Sequence, residues 1–174
     1  GGLGVAIFNA SIVALIGCGI VTFNRLPYDG ASVSAIFTMF GFGLFGKNIW
    51  SILPIIFGVY LYCLIKKVPF KKYLYVGLFG TALSPLVTQI AFGFGWGIIA
   101  GILFGILVGF ILPSVALQAL RIHQGYNLYN VGFTAGLVGF IFLSVFRFFQ
   151  MNSEVVSIVS TEHQMFLRLF CIIS

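Results

Sequence analysis

Two asparagines occupy equivalent places in two copies of one short motif. Residues 4–14 read GVAIFNASIVA and residues 125–135 read GYNLYNVGFTA, which aligns Asn9 with Asn130. Eight of the eleven positions agree in identity or type, although chance agreement is an alternative in a chain rich in Gly and aromatic residues. An Asn amide both donates and accepts hydrogen bonds, as an uncharged solute requires when it sheds water. The motif therefore indicates a pair of neutral polar contacts.

The predicted solute-binding site consists of two amides, two hydroxyls and two aromatic rings from the motif copies. These residues are Asn9, Asn130, Ser11, Thr134, Phe8 and Tyr129. We expect the two amides to approach each other near the membrane midplane, with the hydroxyls completing a polar lining and the rings forming apolar walls. The alternative is that each Asn caps a broken helix or bridges two helices.

The composition places the chain in a membrane. Of its 174 residues, 60% are hydrophobic and 7% are charged. Soluble domains carry about 25% charged residues, so this chain has too little charge to cover a surface in water. We therefore predict an all-α, polytopic integral membrane protein whose main partner is the lipid bilayer.

The charged residues exclude several other classes. The net charge of +6 comes from basic residues clustered between apolar runs, where they orient helices, so no nucleic-acid partner is expected. No carboxylate lies inside an apolar segment, which argues against proton-coupled antiport or a cation pump. The three cysteines are isolated, and no catalytic motif is convincing. We expect no enzyme activity, no catalytic residue, no metal and no cofactor.

About six apolar segments can be placed along the chain, since a helix needs about 20 residues to cross a bilayer. They cover residues 1–23, 31–46, 49–65, 73–92, 96–117 and 127–149. The second is short, so it is either a crossing segment or a re-entrant half-helix. Proline is expected to kink the third, to break the fourth near Ser84-Pro85, and to kink or unwind the fifth near Pro113.

Two patterns predict how the segments face their surroundings. Thr81, Ser84 and Thr88 share one face of the fourth segment, and such groups should face protein or water because they are costly in hydrocarbon. Glycine recurs at residues 97, 101, 105 and 109, which forms a smooth strip suited to close helix packing. Gly101 and Gly105 should lie where another helix or another copy of the chain packs, which leaves a homo-oligomer open.

The lysine-rich loop 66–72 sets the predicted orientation. With this loop in the cytoplasm and residues 31–46 crossing the membrane, six basic residues fall inside and two fall outside. Those inside are Arg25, Lys66, Lys67, Lys71, Lys72 and Arg121, and those outside are Lys47 and Arg147. We expect a multi-pass protein of the inner (plasma) membrane. The two motif copies are then inverted, because five crossings separate them.

The duplication also predicts the domain organisation. Residues 1–150 form a helical membrane domain, and residues 151–174 form a polar tail with the start of a further segment. Four apolar segments lie between the motif copies, whereas only one span and a tail follow the start of the second copy. We therefore expect the chain to be part of a longer duplicated protein with an inverted repeat and half-helices.

Several segments carry a resemblance to known families. RIHQGYNLYNVGFTAGLVG, GASVSAIFTMFGFGLFGKN and LPIIFGVYLY resemble an uncharacterised bacterial family of polytopic membrane proteins, a domain of unknown function. The resemblance covers most of residues 1–150 and implies no activity. The motif copies are also more weakly similar to urea transporters, which carry a Gly-x-x-Gly-aromatic-Asn segment in each of two inverted halves. Ile7 and Leu128 replace the second Gly here.

Two functions remain open from the sequence. The first is a transporter or channel for a small, uncharged polar solute, with the Asn motifs near its centre. The second is a non-transporting membrane scaffold or assembly protein, in which the glycine-rich faces only pack helices. A continuous polar path favours the first function, and a dry, sealed interface favours the second.

Overall fold

The structure is a computed structural model that describes residues 2–124 and 130–151. Over these ranges the chain forms six helices and no strand, which confirms the all-α prediction. The helices are α1 (Leu3–Phe23), α2 (Gly30–Leu44), α3 (Ile49–Ile65), α4 (Phe70–Gly93), α5 (Gly97–His123) and α6 (Asn130–Phe148). The tail from residue 152, with the predicted further segment, lies outside the described residues.

Helix α4 is not uniform along its length. An α-helical part, Leu74–Gly80, is followed by a 3₁₀ turn at Thr81–Leu83, a short α-helical part and a π-helical end at Gln89–Gly93. The ring of Pro85 would clash with the carbonyl group four residues earlier, which belongs to Thr81. The break therefore lies just before the predicted Ser84-Pro85 step.

Polar side chains cap the short helices α2 and α3 at their N-termini. The Asp29 carboxylate accepts a hydrogen bond from the Ser32 amide at the start of α2. Asn48 and Ser51 form a reciprocal capping box at the start of α3. Gly46 has a φ of 92°, a left-handed conformation that suits glycine, and it lets the chain turn sharply between α2 and α3.

Helix α4 lies at the centre of the bundle. It contacts α2, α3, α5 and α6, and it is the most buried of the four longest apolar helices. The most extensive contacts between two helices join α3 to α5, and those of α4 with α5 and of α1 with α2 follow. The buried apolar residues form clusters around α4, including Ile55, Leu78 and Leu112.

Successive helices run in alternating directions. Gly17 packs on Met39 and Gly43 packs on Ala10, so α1 and α2 are antiparallel over most of their lengths. Pro54 packs against Gly105 and Gly58 packs against Gly109, so α3 and α5 run parallel. Helix α2 thus lies alongside α1 over most of its length.

Three of the four strip glycines of α5, at residues 101, 105 and 109, form a packing face within the chain, whereas a Cβ atom on Gly97 would meet nothing within 4 Å. A Cβ atom on Gly101 would lie 2.9 Å from the Val87 carbonyl oxygen, and one on Gly105 would lie 2.8 Å from the Pro54 Cβ. The prediction that another helix packs closely at these two positions is therefore confirmed. Helices α3 and α4 approach α5 this closely because glycine leaves their backbones room.

Pro113 does not end α5. The helix continues through it to His123, so of the two outcomes expected at this proline the unwinding is not met, and the kink stays a prediction. Among the residues that the structure describes, four helices are long and apolar enough to cross a membrane, and α2 and α3 are shorter apolar helices of 15 and 17 residues. The length of the four long helices and the apolar composition of all six are those of a polytopic membrane protein.

Candidate functional site

The amide of Asn9 joins α1 to the end of α2. Its Nδ2 donates to the Gly43 carbonyl at 2.8 Å and to the Lys47 carbonyl at 2.7 Å. The last carbonyl groups of a helix lack partners in a following turn, and Asn9 adds a donor to one of them, which also accepts from the Gly46 amide, and to the loop after it. Asn9 is half-buried and acts as a bridge between two helices, which is the alternative that the sequence left open.

Other predicted site residues make contacts within their own helices. Ser11 Oγ donates to the Ile7 carbonyl at 2.8 Å, and Thr134 Oγ1 donates to the Asn130 carbonyl at 2.8 Å. Thr134 is fully buried, whereas the Phe8 side chain is 68% exposed on the outer surface of α1. Tyr129 lies outside the described residues.

Asn130 lines a cavity. The cavity has a volume of about 550 Å³ and lies between the first half of α2 and the start of α6, over the ring of Phe79. Ser34 and Thr38 also line it, so three neutral polar side chains converge there. Asn130 Nδ2 lies 3.5 Å from the Ala116 carbonyl oxygen of α5, which ties the start of α6 to the bundle.

A second cavity continues the first one along α2. Its volume is about 500 Å³, and it shares Thr38, Phe79 and Gly132 with the first. It extends to Phe42, near the end of α2, and its floor includes Leu83 at the break of α4. We call the two together the α2–α6 cleft. Helices α2 and α6 make few direct contacts, which leaves the cleft open between them.

The structure does not bring Asn9 and Asn130 together. Asn9 contacts the last turn of α2 and the loop after it, whereas Asn130 lines the cavity along the first half of α2. Gly43 is also buried against α1, on a different side of α2 from Thr38 and the cleft. The expected approach of the two amides is therefore not met within this chain. Whether either amide binds a solute stays a prediction.

Lys47 is a buried basic residue, although the sequence predicts that it lies in a loop outside the membrane. Only 5% of its surface is exposed, and its Nζ donates to Thr81 Oγ1, which in turn donates to the Leu78 carbonyl. Nζ also lies 5.6 Å from the centre of the Phe42 ring, within the range of a cation–π interaction. Burial disfavours the charged form of a lysine, and the contacts with Thr81 and the Phe42 ring stabilise that form.

The same face of α4 carries a second buried hydroxyl. Ser84 Oγ is buried and meets no hydrogen-bond partner among the described residues. Thr81 and Ser84 are 0% and 1% exposed, so the prediction that this polar face is turned away from lipid is confirmed for both. The break in α4 thus has a lysine, a threonine and a serine around it in an otherwise apolar core.

The sequence carried only a weak signal for Lys47. A single lysine between two short apolar segments resembles an ordinary loop charge, and its burial depends on α2 and α3 meeting α4. Among residues 2–124 and 130–151 the only carboxylate is that of Asp29, at the far end of α2. Hydrogen bonding from the Ser32 amide holds the pKa of Asp29 below its usual range. Over the same ranges no three His, Cys, Asp or Glu side chains gather as metal ligands would.

Apolar helices of alternating direction surround a broken central helix, and polar groups lie inside the bundle. These features place the chain among polytopic helical membrane proteins. Within that class, the chain belongs to the family described as "Protein of unknown function (DUF1576)", whose sequence model matches residues 1–148. No curated protein and no solved structure matches the chain. The similarity to urea transporters is not shown by these comparisons.

Proposed function

We propose that the chain forms part of a pathway for a small, uncharged polar solute across the membrane, as a transporter or channel. The observation that carries this proposal is the α2–α6 cleft, where Ser34, Thr38 and Asn130 line a cavity between apolar helices. Hydrogen-bonding groups are costly in hydrocarbon, so their convergence on one open cleft favours a role in hydrogen bonding to a polar solute there.

The chemistry of the cleft suits a neutral solute. Its polar groups are two hydroxyls and an amide, which donate and accept hydrogen bonds without carrying charge. Thr38 Oγ1 donates to the Ser34 carbonyl at 2.8 Å, which leaves the Thr38 oxygen as an acceptor toward the cleft. The proposal therefore assigns solute contact to Asn130 and the two hydroxyls of α2, and a positioning role to Asn9.

The cleft follows α2 for most of its length. It extends from Gly30, at the start of the helix, to Phe42, near its end. At about 1.5 Å per residue, this distance is about 18 Å, a large part of a bilayer core of about 30 Å. Phe42 separates the far end of the cleft from Lys47, so the ring of Phe42 is the natural barrier along the proposed path.

The second candidate is a scaffold whose glycine faces only pack helices. The contacts of Gly101 and Gly105 with α4 and α3 are ones that a scaffold would also need. They use the strip inside the chain, so this strip gives no argument for assembly with a partner. Packing alone does not require hydroxyls and an amide to line an open cleft, and this lining is the observation that favours transport.

The membrane and the orientation belong to the same proposal. We place the protein in the inner membrane with residues 66–72 in the cytoplasm, because most basic residues flank the helix ends at that face. The inverted repeat is supported by the opposite directions of α1, which contains the first motif copy, and α6, which begins at Asn130 within the second copy. Labelling the introduced thiol of a Lys66→Cys variant in intact cells and in inverted vesicles tests the orientation.

Solute flux tests the function. The full-length protein is reconstituted into liposomes, and shrinkage and re-swelling are followed by stopped-flow light scattering with urea, glycerol and erythritol as probes. We expect at least one of these to enter faster than in protein-free liposomes. Gly136→Phe should abolish that difference, because Gly136 lines the cleft and a Cβ atom there meets nothing within 4 Å.

Gly19→Phe is the matched control. Gly19 is also exposed with nothing within 4 Å of an added Cβ atom, but it lies on α1 outside the cleft. We expect this variant to keep the wild-type flux. Equal flux through the two variants, or no accelerated entry of any probe with the wild-type protein, would count against the proposal.

A further inference from the structure

An apolar groove lies on the opposite side of the bundle from the α2–α6 cleft. It has a volume of about 680 Å³ and runs over the outward face of α3, between α1 and α5. Ten residues line it, including Ile20 of α1, Leu53 and Phe57 of α3, and Ile106 of α5. Every lining side chain is apolar or aromatic, so an aliphatic chain is the ligand that the lining suits.

One end of this groove meets the lysine-rich loop. Phe70 lines the groove and packs edge-on against Tyr60 of α3, with 5.8 Å between the ring centres. Two lysines precede Phe70 and two follow it, and all four are exposed. They are Lys66, Lys67, Lys71 and Lys72.

These lysines have no acidic partner in the part of the chain that the structure describes. Asp29 is the only carboxylate there, and it is occupied by the Ser32 amide and by Tyr75 Oη. Of the four lysines, Lys72 contacts an aromatic ring, that of Tyr73. A positive cluster at the end of an apolar groove is complementary to a ligand with an aliphatic chain and an anionic head.

We propose that this groove binds one molecule of an anionic phospholipid, with an acyl chain over α3 and its phosphate among the four lysines. Basic clusters at a membrane surface attract anionic lipid head groups, and the groove supplies contact for the chain. Tyr60 lies between these two parts and holds Phe70 at the mouth of the groove. The site does not depend on the proposed transport function.

Native mass spectrometry of the full-length protein tests the site. The protein is released from detergent after incubation with equal amounts of phosphatidylglycerol and phosphatidylcholine that carry the same acyl chains. We expect one phosphatidylglycerol to be retained in preference to phosphatidylcholine. Lys67→Gln with Lys71→Gln should weaken that retention about 30-fold, if each lysine contributes as basic residues near membrane surfaces do.

Two matched controls separate this site from a general effect of charge or bulk. Arg121→Gln with Arg147→Gln removes the same charge from residues that do not line the groove, and it should leave retention unchanged. Leu53→Trp fills the groove and should displace both lipids. Leu103→Trp adds the same side chain at an exposed position of α5 outside the groove, and it should displace neither.

Three results would overturn the proposal. Equal retention of the two lipids would show that the lysines do not select the head group. Equal effects of the lysine and arginine variants would show a general effect of charge. A lipid-free dimer that persists in the presence of phosphatidylglycerol would show that a second copy of the chain covers the groove.

Discussion

The glycines of α5 and those of α6 share a four-residue spacing but lie in different surroundings. A Cβ atom on Gly109 of α5 would overlap the carbonyl group of Ile55, so the backbones of α3 and α5 touch there. Gly136 of α6 lines the cleft, and a Cβ atom there would meet nothing within 4 Å. The same spacing therefore serves close packing in one helix and borders open space in the other.

The two motif asparagines repeat this contrast. Asn9 donates to two carbonyl groups at the closed junction of α1, α2 and the loop before α3. Asn130 is the first residue of α6 and lines the cleft, although its position in the motif is equivalent to that of Asn9. Similar residues thus hold the bundle together on one side and border a cavity on the other.

The largest expected effect of a substitution lies on the closed side, at Gly109. Gly109→Ala forces a methyl group against the Ile55 backbone, which cannot move as a flexible side chain could. We expect a loss of about 3 kcal/mol in the free energy of unfolding, at the upper end of ordinary overpacking. Thermal unfolding in detergent, followed by circular dichroism, measures it. An unchanged unfolding temperature would show that α3 and α5 are not in backbone contact.

The next effect concerns the contact between Lys47 and Thr81. Thr81→Val removes the acceptor of a buried ammonium group, and hydrogen bonds to charged groups contribute about 1.5–3 kcal/mol. Lys47→Met with Thr81→Val replaces both partners by apolar groups of similar shape and should restore most of the lost stability. A double variant no more stable than Thr81→Val alone would show that Lys47 is not held by Thr81.

The sequence was sufficient to predict much of the fold. Composition and segment length predicted the membrane class and the six helices, because lipid requires long apolar helices. The break in α4 and the packing of Gly101 and Gly105 were also predicted, since proline and glycine act locally on the backbone. The unwinding expected at Pro113 as an alternative to a kink is not met, because the sequence of one segment does not contain its neighbours, and Leu112 beside the proline is fully buried in the core.

The candidate site was harder to predict. The motif singled out Asn9 and Asn130 as polar residues in apolar segments, but the position of each amide depends on which helices lie beside it. The burial of Lys47 likewise results from the meeting of three helices and a loop. Ser34 and Thr38 were visible as polar residues in an apolar segment, and only the gap between α2 and α6 makes them part of a cleft.

A smaller effect is expected for Asn9. Asn9→Ala removes the side-chain donor of the Lys47 carbonyl and of the Gly43 carbonyl, which keeps its bond from the Gly46 amide, so we expect a loss of about 1–2 kcal/mol, as for lost hydrogen bonds. Ser11→Ala is the control, because the Ser11 hydroxyl only returns to its own helix at Ile7. Both are measured by thermal unfolding in detergent. Equal losses in the two variants would contradict the role of Asn9 as a bridge.

The smallest effect on stability is expected at Gly136, on the open side. Gly136→Ala adds a methyl group to free space and raises helix propensity, so stability should stay the same or rise by up to about 1 kcal/mol. Gly136→Leu should be tolerated similarly, because its side chain extends into the cleft. Thermal unfolding of the full-length protein measures both variants.

Comparing stability and flux along this series tests what occupies the cleft. With a solute path there, flux through liposomes should fall from Gly136→Ala to Gly136→Leu to Gly136→Phe while the unfolding temperature does not fall. With another helix packed into the cleft, the unfolding temperature should fall with side-chain size, as overpacking of a filled space requires. The second outcome would make the open side a packing face like that of α5, and the contrast between the two sets of glycines would disappear.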